Sequence, residues 1–452
     1  MARSLLALAL AAAGAGPAAA QVLPHPLRVE RLDNGLTVVL APFDSPGIVA
    51  HYLAVRVGSR NEVEPGHTGF AHFFEHMMFR GTERFPAAAY ARLLQSLGAD
   101  NNAYTSNDHT CYTAIVPTSA LPVLIDVEAD RFRNLSYSLE AFQTEAGAIW
   151  GEYLTSVSDP ALRMEEELLS AAFTVHPYGH TVIGWPDDIR ALPQYYDDSR
   201  DFFRRYYTPD NSFLIVAGDF DPAAVLALAR EKYGPWDRRL DAPPVPPEPE
   251  QTEPRQRHVE WPGPAPRRVF AAWKAPAFGV DTVEAAAVEV AMELLFGETG
   301  DLYRRLVVEQ RALLSLDRWP AADRDPSLAV LDAKLADGAA FDEVVAAFQQ
   351  AIDAAADGAV DPARVEAVKS HVRYAIPMSI DTPSRLAGWL ARFVSATGDP
   401  NALERYVARV GEVLPADVQR VAGEWLGARH RTVVTLAPAP AAGASSGPGG
   451  AP

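Results

Sequence analysis

AHFFEHMMF, residues 71–79, is the stretch that decides how this chain is interpreted. Its spacing puts His72, Glu75 and His76 on one face of an α-helix. Two imidazoles one turn apart can hold one metal ion, and a carboxylate beside them can take a proton from metal-bound water. The order His-x-x-Glu-His reverses the zincin order His-Glu-x-x-His. The stretch therefore predicts half of a metal site.

The same stretch predicts its own helix ends. Thr68, which follows Pro65 and Gly66, is the expected N-cap, and Gly81 is the expected stop. Histidines on an apolar helix are more often core or surface residues than metal ligands. A third ligand must therefore decide between these interpretations, because a catalytic zinc site needs three protein ligands and one open position.

A candidate third ligand lies in the stretch QTEAGAIWGEY, residues 143–153. Glu145 and Glu152 are two helical turns apart there, so both fall on one face. For Glu145 the alternative interpretation is a solvated helix face.

With both stretches, the sequence resembles the inverted-motif zinc peptidases that include pitrilysin, insulin-degrading enzyme and mitochondrial processing peptidase. It is most similar to a bacterial processing-peptidase-like member. The resemblance implies that His72, His76 and Glu152 bind one zinc ion per chain and that Glu75 is the general base. It also implies that Glu145 supports the site by contacting a metal ligand and not the metal itself. Manganese or cobalt in the same site stays open.

A third stretch, NAYTSND at residues 102–108, resembles the Asn-Ala-x-Thr segment of that family. The resemblance implies an edge strand on which a substrate peptide is laid beside the sheet. Asn102 and Ala103 are therefore the expected substrate-binding residues. Strand addition supplies main-chain hydrogen bonds without demanding a particular peptide sequence.

Length and charge agree with a large two-domain enzyme and argue against a nucleic-acid partner. The chain has 452 residues, more than one core usually holds, and a net charge of -18. That charge would repel nucleic acids and anionic membrane surfaces. Residues 1–20 have the pattern of a signal peptide, and no later stretch is apolar enough to span a bilayer. The expected location is the periplasm or the exterior of a bacterium.

The expected domains are a catalytic zinc-binding unit at 24–236, a proline-rich linker at 237–256 and a homologous inactive unit at 257–437. A disordered tail is expected at 438–452. By resemblance the fold class is α+β. Each unit should be a mostly antiparallel sheet with helices packed on one face, and the two should form half of a clam-like chamber. The single cysteine, Cys111, excludes an intrachain disulfide.

The second half lacks two features that matter for partners. The stretch VAMELLF, residues 290–296, takes the place of the metal helix without any histidine. Relatives often carry an arginine and, seven residues later, a tyrosine that bind the substrate, but Val307 and Leu314 stand there. We therefore expect a heterodimer with a homologous chain that carries the Arg/Tyr pair. A homodimer stays open.

These features predict a zinc metalloendopeptidase that hydrolyses unstructured peptides, with zinc-bound water activated by Glu75 and a second chain completing the enzyme. Two alternatives belong to other classes. One is a non-catalytic zinc-binding assembly subunit that shares the fold, and the other is a zinc-storing or zinc-sensing protein. The intact His72, Glu75, His76 and Glu152 argue against the first alternative. In the second, Glu75 would be dispensable.

Overall fold

A computed structural model describes residues 22–23 and 25–439. The predicted signal peptide lies outside them. The strands are β1 (Arg28–Arg31), β2 (Thr37–Pro42), β3 (Ile48–Val55), β4 (Asp100–Thr105), β5 (Thr110–Pro117), β6 (Ser212–Gly218), β7 (Arg255–Trp261), β8 (Arg268–Ala275), β9 (Leu313–Trp319), β10 (Ser327–Leu335) and β11 (Arg431–Pro438).

The helices occupy the intervals between these strands. They are α1 (Phe70–Met77), α2 (Ala87–Ser96), α3 (Leu121–Asn134), α4 (Leu139–Ser156), α5 (Pro160–Ala172), α6 (Pro186–Ala191), α7 (Tyr196–Tyr206), α8 (Pro222–Tyr233), α9 (Glu284–Phe296), α10 (Asp301–Tyr303), α11 (Phe341–Asp357), α12 (Pro362–Ser379), α13 (Pro383–Thr397), α14 (Ala402–Glu412) and α15 (Pro415–Glu424). None of these helices is both long and apolar enough to cross a membrane.

Two sheets with matching strand orders organise these elements. The first runs β1-β2-β6-β3-β5-β4 and the second β7-β11-β8-β10-β9. Each has one parallel pair, β2 with β6 and β7 with β11, and antiparallel neighbours elsewhere. In this order β9 is the counterpart of β4, and α9 follows β8 as α1 follows β3. The predicted α+β fold of two homologous, mostly antiparallel units is confirmed.

Helices of the first half cover one face of the first sheet and bury the strand side chains that point to that face. Alternate strand residues such as Val38, Leu40 and Leu53 are fully buried there together with Phe73 and Phe74 of α1. The Phe74 ring stacks on the rings of Phe202 and Phe203 in α7. This aromatic layer fixes α1 against the sheet and leaves His72, Glu75 and His76 on the side of α1 that faces α4 and β4.

The opposite face of each sheet is covered by a helix from the other half of the chain. α13 packs on β3 and β6, where the Tyr52 hydroxyl lies 2.8 Å from Ser384 Oγ. α5 packs on β7 and β11, where Arg255 Nη1 donates to the Ala171 carbonyl at 2.7 Å. No local sequence pattern predicts this exchange of helices. Because each of these two helices packs on the sheet of the other half, the exchange joins the hydrophobic cores of the two units.

The predicted N-cap of α1 is wrong. Gly69 is the N-cap, at φ +92°, while the Thr68 hydroxyl donates to Asp188 Oδ2 at 2.7 Å. The buried carboxylate of Glu62 satisfies the first turn, because it accepts from the N–H groups of Gly69 and Ala71 at 2.7 Å each. The predicted stop is confirmed: a 3-10 turn continues from α1 and ends at Gly81, at φ +83°.

Two predicted boundaries differ slightly from the structure. β7 begins at Arg255, inside the predicted linker, and the linker carboxylate of Glu248 accepts from the backbone N–H groups of Thr174, Val175 and His176. Pro438, predicted as the first tail residue, is the last residue of β11. The remaining tail from residue 440 lies outside the described residues. The division into domains itself stays a prediction.

We expect Gly69→Ala to lower the free energy of unfolding by about 2 kcal/mol. A Cβ at Gly69 would lie 2.6 Å from the Ile183 carbonyl oxygen, at a φ of +92° that L residues avoid. Thermal unfolding measures the effect. Gly388→Ala is the matched control, since its Cβ would meet nothing within 4 Å in α13. Equal melting temperatures for the two variants would contradict this account of the helix start.

Candidate metal centre

Two helices bring the three predicted metal ligands together. α1 carries His72 and His76, and α4 carries Glu152. His72 Nε2 lies 3.7 Å from Glu152 Oε1, and His76 Nε2 lies 3.6 Å from Glu152 Oε2. One candidate ligand atom from each residue falls within 4.8 Å of the others.

Packing between the two helices sets this arrangement. The rings of Phe73 in α1 and Phe142 in α4 meet edge to face, with centroids 4.9 Å apart. Ser138 caps the start of α4 by accepting from the Ala141 N–H at 3.1 Å. Because Phe142 and Glu145 are three residues apart on α4, packing of the ring also directs Glu145 toward α1.

Burial prepares His72 to act as a ligand. Its side chain is mostly buried, and this desolvation, with a smaller contribution from His76, lowers the pKa of His72 to about 4. The ring is therefore neutral at physiological pH, which is the form that binds metals. Nδ1 of His72 is buried without a hydrogen-bond partner in the described residues, whereas Nε2 faces Glu152.

Glu145 lies behind His76 rather than beside the other candidate ligands. His76 Nδ1 donates to Glu145 Oε1 at 2.9 Å, which leaves Nε2 with its lone pair on the Glu152 side. Arg80 donates to the other Glu145 oxygen, so Glu145 bridges His76 and Arg80. The Glu145 side chain is only 8% exposed, so the solvated-face interpretation does not describe it.

Glu75 lies on the same face of α1, between the two histidines in sequence. The hydroxyl of Thr105, at the end of β4, donates to Glu75 Oε2 at 2.7 Å. Burial raises the pKa of Glu75, while the Thr105 hydrogen bond opposes that rise. A carboxylate with a raised pKa is a better proton acceptor in a hydrolytic step.

The predicted substrate-binding residues lie on the strand that borders this cluster. Asn102 and Ala103 belong to β4, which within residues 22–23 and 25–439 is the last strand of the first sheet and pairs there with β5 alone. The predicted edge position of this segment is confirmed. The binding role of the two residues stays a prediction.

The donor set fits zinc. Zinc binds imidazole nitrogen and carboxylate oxygen at about 2.0–2.2 Å, so tetrahedral ligand atoms are separated by about 3.5 Å. The 3.6 and 3.7 Å separations between the imidazoles and Glu152 are close to that value. Two imidazoles and one carboxylate leave a fourth position open, as in catalytic zinc sites.

We expect Glu145→Gln to weaken zinc binding about tenfold to a hundredfold, because the amide removes the charge that orients His76 and pairs with Arg80. Competition with a chromogenic chelator measures the affinity. Glu140→Gln, an exposed position on the same helix, is the control. An affinity equal to that of the control would show that Glu145 does not support the site.

Two features define the class to which this protein belongs. The chain has two sheet-and-helix units, and its inverted His-x-x-Glu-His motif lies opposite a glutamate on a second helix. Residues 38–185 match the family described as "Insulinase (Peptidase family M16)". Residues 195–372 match the "Peptidase M16 inactive domain". The chain belongs to peptidase family M16, the insulinase family, and is a bacterial-type member of the pitrilysin group that its sequence resembles.

Curated relatives are named as zinc proteases. A Mycobacterium leprae protein, named an uncharacterized zinc protease, is 33% identical over 205 residues, which is 45% of this chain and 45% of the relative. The chain thus spans about half the length of that relative. The zinc protease PqqE of Helicobacter pylori is 26% identical over 426 residues, covering 90% of this chain and 92% of the relative.

Solved structures share the fold. A protease from Helicobacter pylori superposes with a TM-score of 0.83 at 25% identity, over 91% of this chain and 99% of that one. The periplasmic protease PqqL from Escherichia coli superposes with a TM-score of 0.74 at 20% identity. The match covers 91% of this chain but 47% of PqqL, so PqqL is about twice as long as the matched part.

Sequence reasoning missed three residues that shape the cluster. Glu62 caps α1, Arg80 pairs with Glu145, and Thr105 bonds to Glu75. Arg80 lies one turn beyond His76, so helical periodicity could have indicated it. Glu62 and Thr105 approach from a loop and a strand, and no local pattern points to them.

Proposed function

We propose that this chain is a zinc metalloendopeptidase that hydrolyses unstructured peptides. One observation carries the proposal: the ligand atoms of His72, His76 and Glu152 converge within 4.8 Å, next to Glu75 and beside the open edge of β4. A binding or storage site would need the ligands but neither the adjacent carboxylate nor the strand edge.

When bound, zinc would supply Lewis-acid chemistry, lowering the pKa of a water molecule and polarising the peptide carbonyl. His72, His76 and Glu152 would hold it, and Glu145 would keep the His76 ring in the required tautomer. Glu75 accepts the proton of the attacking water and returns it to the leaving amine nitrogen. Each turnover thereby restores the Glu75 carboxylate.

The edge of β4 would hold the substrate by strand addition. Asn102 and Ala103 lie on this strand, whose main-chain N–H and C=O groups face the free edge at alternate residues and would pair there with an extended peptide. A folded protein cannot present a free strand to this edge, whereas an unstructured peptide can. The enzyme should therefore select peptides by lack of structure more than by sequence.

Hydrolysis of a quenched, unstructured peptide of about twenty residues tests the proposal. The zinc-loaded chain should cleave it, a chelator should stop cleavage, and added zinc should restore it. A tightly folded protein of similar length is the control substrate and should stay intact. Cleavage that survives chelation would contradict a metal mechanism.

We also propose that the chain acts as the catalytic member of a two-chain enzyme. Val307 and Leu314 occupy the places of the Arg/Tyr pair, and Leu314 is exposed on β9. PqqL is about twice as long as the part that this chain matches, which supports an assembly of two chains of this size. Adding a homologous chain that carries the pair should raise the hydrolysis rate, and full activity of this chain alone would contradict the proposal.

Export to the periplasm or the cell exterior is proposed from the pattern of residues 1–20. The periplasmic PqqL shares the fold, which agrees with that location. Fractionation of cells that express the full chain tests it. Retention of the uncut chain in the cytoplasm would contradict it.

A further inference from the structure

We propose that Thr105 is a positioning residue for Glu75, and that through it the peptide-binding strand holds the general base in place. The inference rests on the proposed function and deepens it. Thr105 lies at the end of β4, past Asn102 and Ala103, so one short strand would both receive the peptide and orient the catalytic carboxylate.

Strand alternation determines which residues of β4 face the metal helix. Successive side chains point to opposite faces, so Ala103 and Thr105 share one face and Tyr104 takes the other. Ala103 is 7% exposed and packs in the same core as Phe70 and Phe74 of α1. A small side chain at 103 lets α1 approach the strand closely, and the hydroxyl at 105 then reaches Glu75.

The hydrogen bond assigns different roles to the two oxygens of Glu75. The Thr105 hydroxyl donates to Oε2 at 2.7 Å, a short bond of the charge-assisted kind. With Oε2 held, Oε1 is the oxygen that takes the proton from water. The bond also restricts rotation of a side chain that would otherwise sample several rotamers.

The turn that follows Thr105 is fixed from both halves of the chain. Ser106 N–H donates to the His109 carbonyl at 2.8 Å and closes the turn. Asp108 within it accepts from the Tyr178 hydroxyl at 2.7 Å and from the Arg324 N–H at 2.8 Å. Arg324 belongs to the connection between β9 and β10, so the second half of the chain helps to hold Thr105 in position.

Kinetics with three variants tests the proposal. Thr105→Val keeps the side-chain shape but removes the donor, and it should lower kcat about tenfold to a hundredfold with KM and zinc content nearly unchanged. Thr105→Ala should behave alike, and Thr105→Ser should restore most of kcat. Thr118→Val, which removes a hydroxyl bonded to the Asp219 carbonyl, is the control.

A second measurement does not depend on activity. In the metal-free protein, a thermal-unfolding cycle should show that Thr105→Val and Glu75→Ala are non-additive, because each removes the same side-chain hydrogen bond. Additive shifts, or unchanged kcat in Thr105→Val, would overturn the proposal. If the wild-type chain hydrolyses no peptide, either alone or with a homologous chain that carries the Arg/Tyr pair, the proposed function fails, while the cycle still decides whether Thr105 holds Glu75.

Discussion

Glu75→Gln is expected to lower kcat for peptide hydrolysis about a thousandfold while one zinc ion stays bound. The amide keeps the size of the side chain and can still accept the Thr105 hydrogen bond, but it cannot take a proton from water. Steady-state kinetics on a quenched peptide and metal analysis of the same samples measure the two quantities. The split between lost turnover and retained metal is the signature of a general base.

The same variant separates the enzyme from its alternatives. A non-catalytic assembly subunit or a zinc-storing protein would show no hydrolysis to lose. Glu83→Gln, at an exposed position a few residues beyond the metal helix, is the matched control and should behave like wild type. If Glu75→Gln retained wild-type kcat, Glu75 would not be the general base.

His72→Ala is expected to weaken zinc binding at least about a hundredfold, because it leaves one imidazole and one exposed carboxylate to hold the ion. Hydrolysis at limiting zinc should be lost with it. Competition titration against a chelator of known affinity measures the change. The substitution removes a buried ring, so thermal unfolding of the metal-free variant is recorded alongside.

His371→Ala is the matched control for that experiment. His371 is exposed on α12 in the second half, on the helix that corresponds in order to α4. Its removal should leave zinc affinity unchanged. Equal losses in the two variants would show that the measured zinc binds elsewhere.

The metal helix and its opposing glutamate were predictable from sequence because helical periodicity is a local property. His72, Glu75 and His76 share a face by spacing alone, and Glu152 follows two turns after Glu145 on a second helix. Their approach to within 4.8 Å depends on how α1 packs against α4, and only the resemblance to a family pointed to it. Their roles as ligands stay predictions until a metal is measured.

The contacts that could not be predicted are those between separate elements of the chain. Thr68 has the chemistry of an N-cap, yet Glu62 caps α1 from a preceding loop while Thr68 bonds to Asp188. The exchange of α5 and α13 between the sheets leaves no local signature either. Both helices are amphipathic, and periodicity shows which face is buried without showing which sheet receives it.

Anomalous diffraction at the zinc edge from crystals of the zinc-loaded chain tests the central claim most directly. We predict one peak per chain, within about 2.2 Å of His72 Nε2, His76 Nε2 and a Glu152 oxygen, with Glu75 beside it. A zinc peak at any other cluster, or none at these side chains despite one bound zinc per chain, would contradict the account.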